Sequence, residues 1–183
     1  MTITILDGTP AESAGNMSVE LKKLSTELEK NHSVNHFALT SMDLHFCTGC
    51  WSCWWKTPGR CAIRDDGEKI FRSVINSDLV IFASPLTAGF VSCHLKKIMD
   101  RLIVLLHPYI EIRNNESHHC KRYDRYPEIG LLFEKEADTD DEDLEILRDI
   151  FERFALNFHS RLNWALPAEQ FSIEEIINET CSV

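Results

Sequence analysis

The sequence predicts an α/β protein: a three-layer α/β/α sandwich around a five-stranded parallel sheet. Three observations lead there. Apolar, strand-like runs alternate with helix-like stretches of ten or more residues along the 183-residue chain, the pattern of right-handed β-α-β crossovers. One run, Leu79-Val80-Ile81-Phe82-Ala83, is apolar at every position, the mark of a strand covered on both faces. The composition, 44% hydrophobic and 26% charged, is that of a globular chain with one ordinary core.

Taken in order, Ile3, Ile5 and Leu6 form a short buried strand, broken by Gly8-Thr9-Pro10 before Val19, Leu21, Leu24 and Leu28 announce a helix. Residues 35–39 make a second strand. A cysteine-rich insert at about 43–65 follows, until Asp65, an N-cap with Glu68 three residues on, opens a helix to about Asn76. The run at 79–83 is the central strand, ended by Ser84-Pro85. Ser92 then begins a helix with Leu95, Ile98, Met99, Leu102 and Leu106 on one side, stopped near Pro108. Residues 107–127 read as irregular and polar. Residues 129–133 are a fourth strand, and Thr139 with Glu142 form a capping box for a helix carrying Leu144, Leu147, Ile150, Phe151 and Phe154. A weaker strand at 157–164 and a helix at 171–180 finish one domain, residues 1–183. Five such strands suit the 2-1-3-4-5 order of the flavodoxin-like sheet, whose ligands bind at the carboxyl ends of the strands where the order reverses. That places the loops after the first and third strands at the candidate site.

A formal net charge of −10 would repel nucleic-acid phosphates and anionic lipid surfaces, so neither is an expected partner. No apolar run approaches the roughly 18 residues of a membrane helix. The opening MTITILDGTP has no basic or long apolar stretch, so a reducing cytoplasm, free thiols and an unused Asn115-Glu116-Ser117 sequon are expected.

The first loop leads small and hydroxyl residues, Gly8, Thr9, Pro10, Ser13, Asn16, Met17 and Ser18, into a helix N-terminus, where free N–H groups and the helix dipole favour a phosphate. An ordinary strand-to-helix turn capped by Asn16 or Ser18 is the simpler alternative, and the loop contains no Lys or Arg. The third loop, Pro85, Leu86, Thr87, Ala88, Gly89 and Phe90, can set backbone N–H and C=O groups against the edge of a flat ring, or be a turn that needs Gly89 for its path. No catalytic acid or base stands out. His118-His119-Cys120 reads as a solvated loop, Cys93 and Cys181 as packing residues, and Asp100 with Arg101 as a helix-end ion pair or partner contact.

Gly8-Thr9-Pro10 with Asn16 is one group of a combination that resembles the NADPH-dependent FMN reductase family of flavodoxin-like proteins. Cys47, Gly49, Cys50, Cys53, Gly59, Cys61, Asp65 and Asp66 form the second group, and Ser84, Pro85, Ser92, Leu95, Lys96, Asp100 and Arg101 the third. The resemblance runs to about Leu106 and implies FMN in the two loops, NAD(P)H as co-substrate, a small-molecule or protein electron acceptor and a homodimer or higher homo-oligomer. The chain departs from the family with Ala11 for the usual Arg, Met17 near the usual Thr, Thr87 for the usual Tyr, and an acidic GLLFEKEADTDDED in place of a Gly-rich fourth loop.

Cys-x2-Cys-x2-Cys is the spacing by which one loop offers three thiolates to a [4Fe–4S] cluster. Cys47, Cys50, Cys53 and Cys61 resemble the four-cysteine motif of iron–sulfur flavoproteins in this family. A structural zinc, a redox dithiol and packing against Trp51, Trp54 and Trp55 stand beside that option. Three functions follow: an FMN-dependent NAD(P)H oxidoreductase of the flavin or quinone-reductase type, an iron–sulfur flavoprotein electron carrier, and a degenerate flavodoxin-like binding module that has lost FMN.

Overall fold

The sheet is built from strands whose side chains serve two cores at a period of two. The computed structural model describes residues 1–10, 17–113, 115–170 and 172–181. Strand β1 (Thr2–Asp7) lies between β2 (Ser33–Ala38) and β3 (Leu79–Thr87), followed by β7 (Glu128–Glu134) and β8 (Leu162–Pro167); all four pairings are parallel. This is the 2-1-3-4-5 flavodoxin-like order, with a two-residue strand β4 (Phe90–Val91) folded back antiparallel on β3.

Helices α1 (Met17–Leu28) and α6 (Ile173–Cys181) cover one face. There Ile3, Ile5, Leu79, Ile81, Ala83 and Leu132 meet Leu21, Leu24 and Ile176. Helices α3 (Gly67–Ile75), α4 (Cys93–Arg101) and α5 (Asp141–Asn157) cover the other, where Leu6, Val80, Phe82, Ile129, Leu131 and Phe133 meet Ile70, Val74, Leu95, Ile98, Leu147 and Phe151. Thr4 also points to this second face and satisfies its hydroxyl with Ser73 Oγ at 2.6 Å and Ser77 Oγ at 2.7 Å. Val19, expected on the core face of α1, is instead exposed, because the buried stripe is Met17, Leu21, Leu24 and Leu28.

Several boundaries differ from the sequence expectation for identifiable reasons. Pro85 does not end the central strand. Strand β3 continues through it to Thr87, with Pro85 in register beside Glu134. The second strand begins two residues early and stops before Leu39, which turns into the core. Helix α4 ends at Arg101 and hands over to a 3-10 turn, Leu102–Leu105. Residues 107–127 are largely a hairpin, β5 (Leu106–Arg113) and β6 (Glu116–Lys121), whose apolar Ile110 and Ile112 are exposed. His118 lies buried in β6 beside Glu116 rather than in solvent. The capping box of α5 is Asp140 with Asp143, one residue beyond the expected pair, and the last strand starts after the helix that was expected to end earlier. Cys93 is exposed, not packed; the side chain of Cys181 lies outside the described residues. Among the described residues no helix is long and apolar enough to cross a membrane.

Gly130 of β7 pairs with Trp164 of β8, and the indole lies flat over it. A Cβ at Gly130 would stand 2.3 Å from the ring. The Gly130→Ala variant is therefore expected to lose about 1–3 kcal/mol through overpacking, read as a lower guanidinium unfolding midpoint with an unchanged slope.

Candidate functional site at the carboxyl edge of the sheet

The two loops expected to hold a ligand are tied together by one serine. Ser92, the N-cap of α4, donates its hydroxyl to the Gly8 carbonyl at 2.7 Å and accepts from Leu95 N–H at 3.4 Å, while its own N–H donates to Ser84 Oγ at 2.8 Å. Ser84 passes the bond on to the Pro85 carbonyl at 2.7 Å. Gly8 donates its N–H to Ala83 O at 2.8 Å. A Cβ on Gly8 would come within 2.8 Å of both Leu95 Cβ and Ser92 Oγ, so the bare backbone is what lets the first loop reach the start of α4. Ser84 and Ser92, which the sequence marks only as members of a motif, thus join the two loops.

Asp7 shapes the first turn. Its carboxylate accepts from Thr9 N–H at 2.9 Å and faces His36 Nε2 at 3.2 Å. Burial alone would raise the Asp7 pKa, but the bonds to His36 and Thr9 outweigh it and hold the carboxyl below the usual range, so it is ionised. Thr9 is buried, and its Oγ1 has no hydrogen-bond partner among the described residues. A buried hydroxyl costs free energy unless it is paired. Ser13 and Asn16 lie outside the described residues. Met17 opens α1 with its side chain fully buried in the core, and Ser18 follows half-buried.

The third loop is a tight hairpin rather than an open loop. Ala88 and Gly89 link the paired residues Thr87 and Phe90 with φ of 53° and 73°, the left-handed values of a two-residue hairpin turn. Leu86 is buried in the core, Thr87 and Ala88 are exposed, and Phe90 is half-buried against the α3–α5 side. The Ala88 and Gly89 N–H groups both donate to the Glu136 carboxylate, at 3.1 and 3.0 Å.

The cysteine insert is closed at its stem by backbone and carboxylate bonds. Asp66 N–H donates to Asp43 O at 3.0 Å, Asp43 N–H to Asp66 Oδ2 at 3.1 Å and His45 N–H to Asp65 Oδ2 at 2.9 Å. Asp65 is not the N-cap residue of α3; Asp66 holds that position, though Asp65 still accepts from Gly67 N–H at 3.0 Å. The main partner of Asp65 is Arg101, which donates to both carboxylate oxygens at 2.7 and 2.8 Å, to His45 O at 3.1 Å and to Cys61 Sγ at 3.6 Å. Both side chains are essentially inaccessible, at 1% and 0% exposure. This corrects the expectation of a helix-end pair with Asp100, which contacts Lys96 instead. Burial acts to raise the Asp65 pKa, yet the Arg101 bonds and the His45 and Gly67 N–H groups hold it well below the usual carboxylate range.

Cys47, Cys50, Cys53 and Cys61 all line one small cavity of about 30 Å³, together with Trp51, Ile63, Arg101 and Val104. A larger recess of about 340 Å³ shares Cys47, Trp51, Cys53 and Ile103 and extends to Met99, Phe154 and Phe158. The one-turn helix α2 (Ser52–Trp55) sits between the second and fourth cysteines, entered through Gly49 and Trp51 at φ of 63° and 59°. Trp51 packs at a tilt against Trp54, ring centroids 4.8 Å apart, and the Trp54 indole N–H donates to Leu106 O at 3.1 Å while its ring meets His119 at 5.0 Å. The insert is thereby pinned to the hairpin. Desolvation raises the Cys53 thiol pKa, and the three neighbouring thiols add to the effect; Ser52 and Thr48 hydrogen bonds lower that of the exposed Cys50. Among the described residues no three His, Cys, Asp or Glu side chains are gathered closely enough for a single metal ion.

Sheet order and helical layers together define a flavodoxin-like protein, with the loops after β1 and β3 joined at the switch point of the sheet. The chain belongs to the NADPH-dependent FMN reductase family, whose model matches residues 1–119. It is 37% identical over 90 residues to an iron–sulfur flavoprotein of Archaeoglobus fulgidus, a match covering 49% of this chain and 40% of that one. An iron–sulfur flavoprotein of Methanocaldococcus jannaschii is 30% identical over 101 residues, 55% of this chain and 51% of the relative. The matches thus span about half the length of these relatives or less. The azoreductase AzrA shares the fold with a TM-score of 0.63 at 14% identity, over 100% of this chain and 96% of that one.

Three outcomes are expected. Asp65→Asn leaves Arg101 buried without its counter-charge and should cost about 3–5 kcal/mol at pH 7. Because Asp65 titrates lower in the folded chain than in the unfolded one, the pair's contribution is complete above the ordinary carboxylate pKa and fades as pH falls below it, so the wild type should lose stability more steeply than Asp65→Asn in acid unfolding titrations. In metal-free protein near pH 7.5, iodoacetamide followed by peptide mass spectrometry should label Cys50 first and Cys53 last among the four insert thiols.

Proposed function

We propose that this chain is an FMN-binding oxidoreductase that takes electrons from NAD(P)H and delivers them to a small-molecule or protein acceptor. The observation that carries the reading is the Ser92 junction, which brings the Gly8–Pro10 segment and the 85–90 hairpin to one edge of the sheet with Thr9 Oγ1 buried and unpaired beside them. A hydroxyl and the N-terminus of α1 are suitable donors for a phosphate monoester. The hairpin amides and the exposed Thr87 suit the edge of a planar ring. The residues present therefore fit FMN, with Gly8, Thr9, Pro10 and Ser18 on the phosphate side, Ser13, Asn16 and the Met17 backbone completing that loop, and Pro85 to Phe90 on the ring side. When bound, the flavin supplies hydride acceptance and one-electron chemistry; the chain supplies binding and orientation. A likeness to the FMN-dependent NADH-azoreductase of Bacillus anthracis, solved in complex with FMN, supports the fold that this requires.

A second reading is favoured by the cysteines. A single tetrahedral zinc, with Zn–S bonds of about 2.3 Å, needs its thiolates about 3.8 Å apart, and no such gathering of three ligands exists among the described residues. A [4Fe–4S] cluster anchors each thiolate on a separate iron and suits a wider set. Cys47, Cys50, Cys53 and Cys61 around one opening, with the adjoining recess, fit that donor set, and the group would supply single-electron transfer. The exposed Phe46, Trp51 and Trp55 favour a homodimer or higher homo-oligomer formed on this side. Free thiols at all six described cysteines suit a reducing cytoplasm.

Oxygen-free purification, a visible spectrum and assays of FMN, iron and acid-labile sulfide test both readings. Flavin without iron is expected for a plain reductase, flavin with about four irons per chain for the cluster-bearing form. A colourless protein that cannot be reconstituted with FMN overturns both and leaves the binding module that has lost its cofactor.

A further inference from the structure

The fourth loop does something the family resemblance does not imply: it fills the ring side of the site with a carboxylate. Glu136 Oε1 accepts from Ala88 N–H at 3.1 Å and Oε2 from Gly89 N–H at 3.0 Å. The two donors are successive amides of a turn whose residues both have positive φ, a backbone geometry that aims neighbouring N–H groups at one concave spot and attracts an anion. The carboxylate is delivered by a closed turn. Glu136 N–H donates to Thr139 Oγ1 at 2.9 Å, Thr139 N–H returns to Glu136 O at 3.3 Å, and the next residue, Asp140, starts the capping box of α5. A second carboxylate is close by, since Asp143 Oδ1 would be 3.7 Å from a Cβ on Gly89.

A carboxylate offers acceptor oxygens to an N–H donor, and the edge of a flavin offers acceptors of its own in its carbonyl oxygens and ring nitrogens. Each amide has one hydrogen to give. The ring edge and Glu136 cannot both take the Ala88 and Gly89 N–H groups. We infer that Glu136 is an intramolecular competitor for the flavin ring edge, seated on the hairpin amides when flavin is absent and displaced when it docks. The inference rests on the FMN reading above and adds to it a residue that sets affinity. Displacement breaks two charge-assisted hydrogen bonds and brings an acidic loop against the ring, so binding is weaker than the loop backbone alone would allow.

Flavin-free wild type, Glu136→Ala and Glu136→Gln are titrated with FMN by quenching of flavin fluorescence, with circular dichroism and thermal unfolding run on each variant. The expected result is an FMN Kd about tenfold lower for Glu136→Ala, with Glu136→Gln between it and the wild type because its amide is neutral and keeps one acceptor oxygen in place of two. An unchanged or higher Kd in a folded Glu136→Ala overturns the inference and makes Glu136 an organiser of the turn. Should Glu136→Ala fail to fold, Glu136→Gln decides in the same way: tighter binding supports competition, equal or weaker binding overturns it. If wild type and variants alike fail to bind FMN, the flavin reading falls and this inference with it, a result distinct from equal binding by all three.

Discussion

Arg101 is the interaction on which the rest of the site depends. A guanidinium with almost no access to water must be neutralised and hydrogen-bonded, and the chain meets that demand at both terminal nitrogens with the bidentate Asp65 carboxylate, the His45 carbonyl and Cys61 Sγ, leaving Nε without a partner among the described residues. Those three partners come from both ends of the cysteine insert, and Arg101 is the last residue of the helix whose first turn holds the Gly8 carbonyl. One rigid helix therefore carries at its N-terminus the junction of the ligand loops and at its C-terminus the clamp on the thiols. The distance between the two halves of the site is set by the nine residues of α4, not by the loops themselves.

The thiol half is shaped by competition between water and neighbours. Cys50 stands in solvent with hydroxyls to stabilise its thiolate, whereas Cys53 is half-buried among three other sulfurs that each disfavour its charge. A cationic ligand group gathered by the four would relieve that repulsion, which gives metal binding a driving force beyond the bonds formed. The arginine beside Cys61 acts in the same direction by donating to its sulfur.

Much of this was legible in the sequence, for reasons that can be traced to particular residues. The all-apolar run at 79–83 and the alternation of Ile3, Ile5 and Leu6 gave the sheet, because a strand buried on both faces has no freedom to place polar residues. The motif groups around Cys47–Cys61 and Ser84–Arg101 marked segments that the fold ties together through Ser92 and Arg101. What stayed hidden were pairings between distant polar groups. Asp65 has the sequence of an N-cap, and only the fold brings a buried guanidinium to it from 36 positions away. Glu136 looked like one more acid in an acidic loop, since nothing local marks it as the residue that reaches the hairpin amides 47 and 48 positions earlier. The hairpin at 106–121 escaped because its alternation, Ile110 and Ile112 against Glu111 and Arg113, faces solvent rather than a core. Periodicity reports burial, and a ribbon with an uncovered apolar side imitates a loop.

The interior place of β1 has a consequence for how the chain assembles. The Thr2 backbone and Asp78 hold each other across 76 positions, Thr2 N–H donating to the side-chain Asp78 Oδ2 at 2.7 Å and Asp78 N–H to Thr2 O at 2.8 Å. The first strand to leave the ribosome thus waits for the third before it has neighbours on both sides, a long loop closure of the kind that slows folding. From the synthesis of Asp65 until that of residue 101, Cys61 and Asp65 meet solvent without their cation. The order of synthesis thus leaves Cys61 without its guanidinium donor until residue 101 arrives, whereas Cys47 and Cys50 stay open to solvent in the finished fold as well.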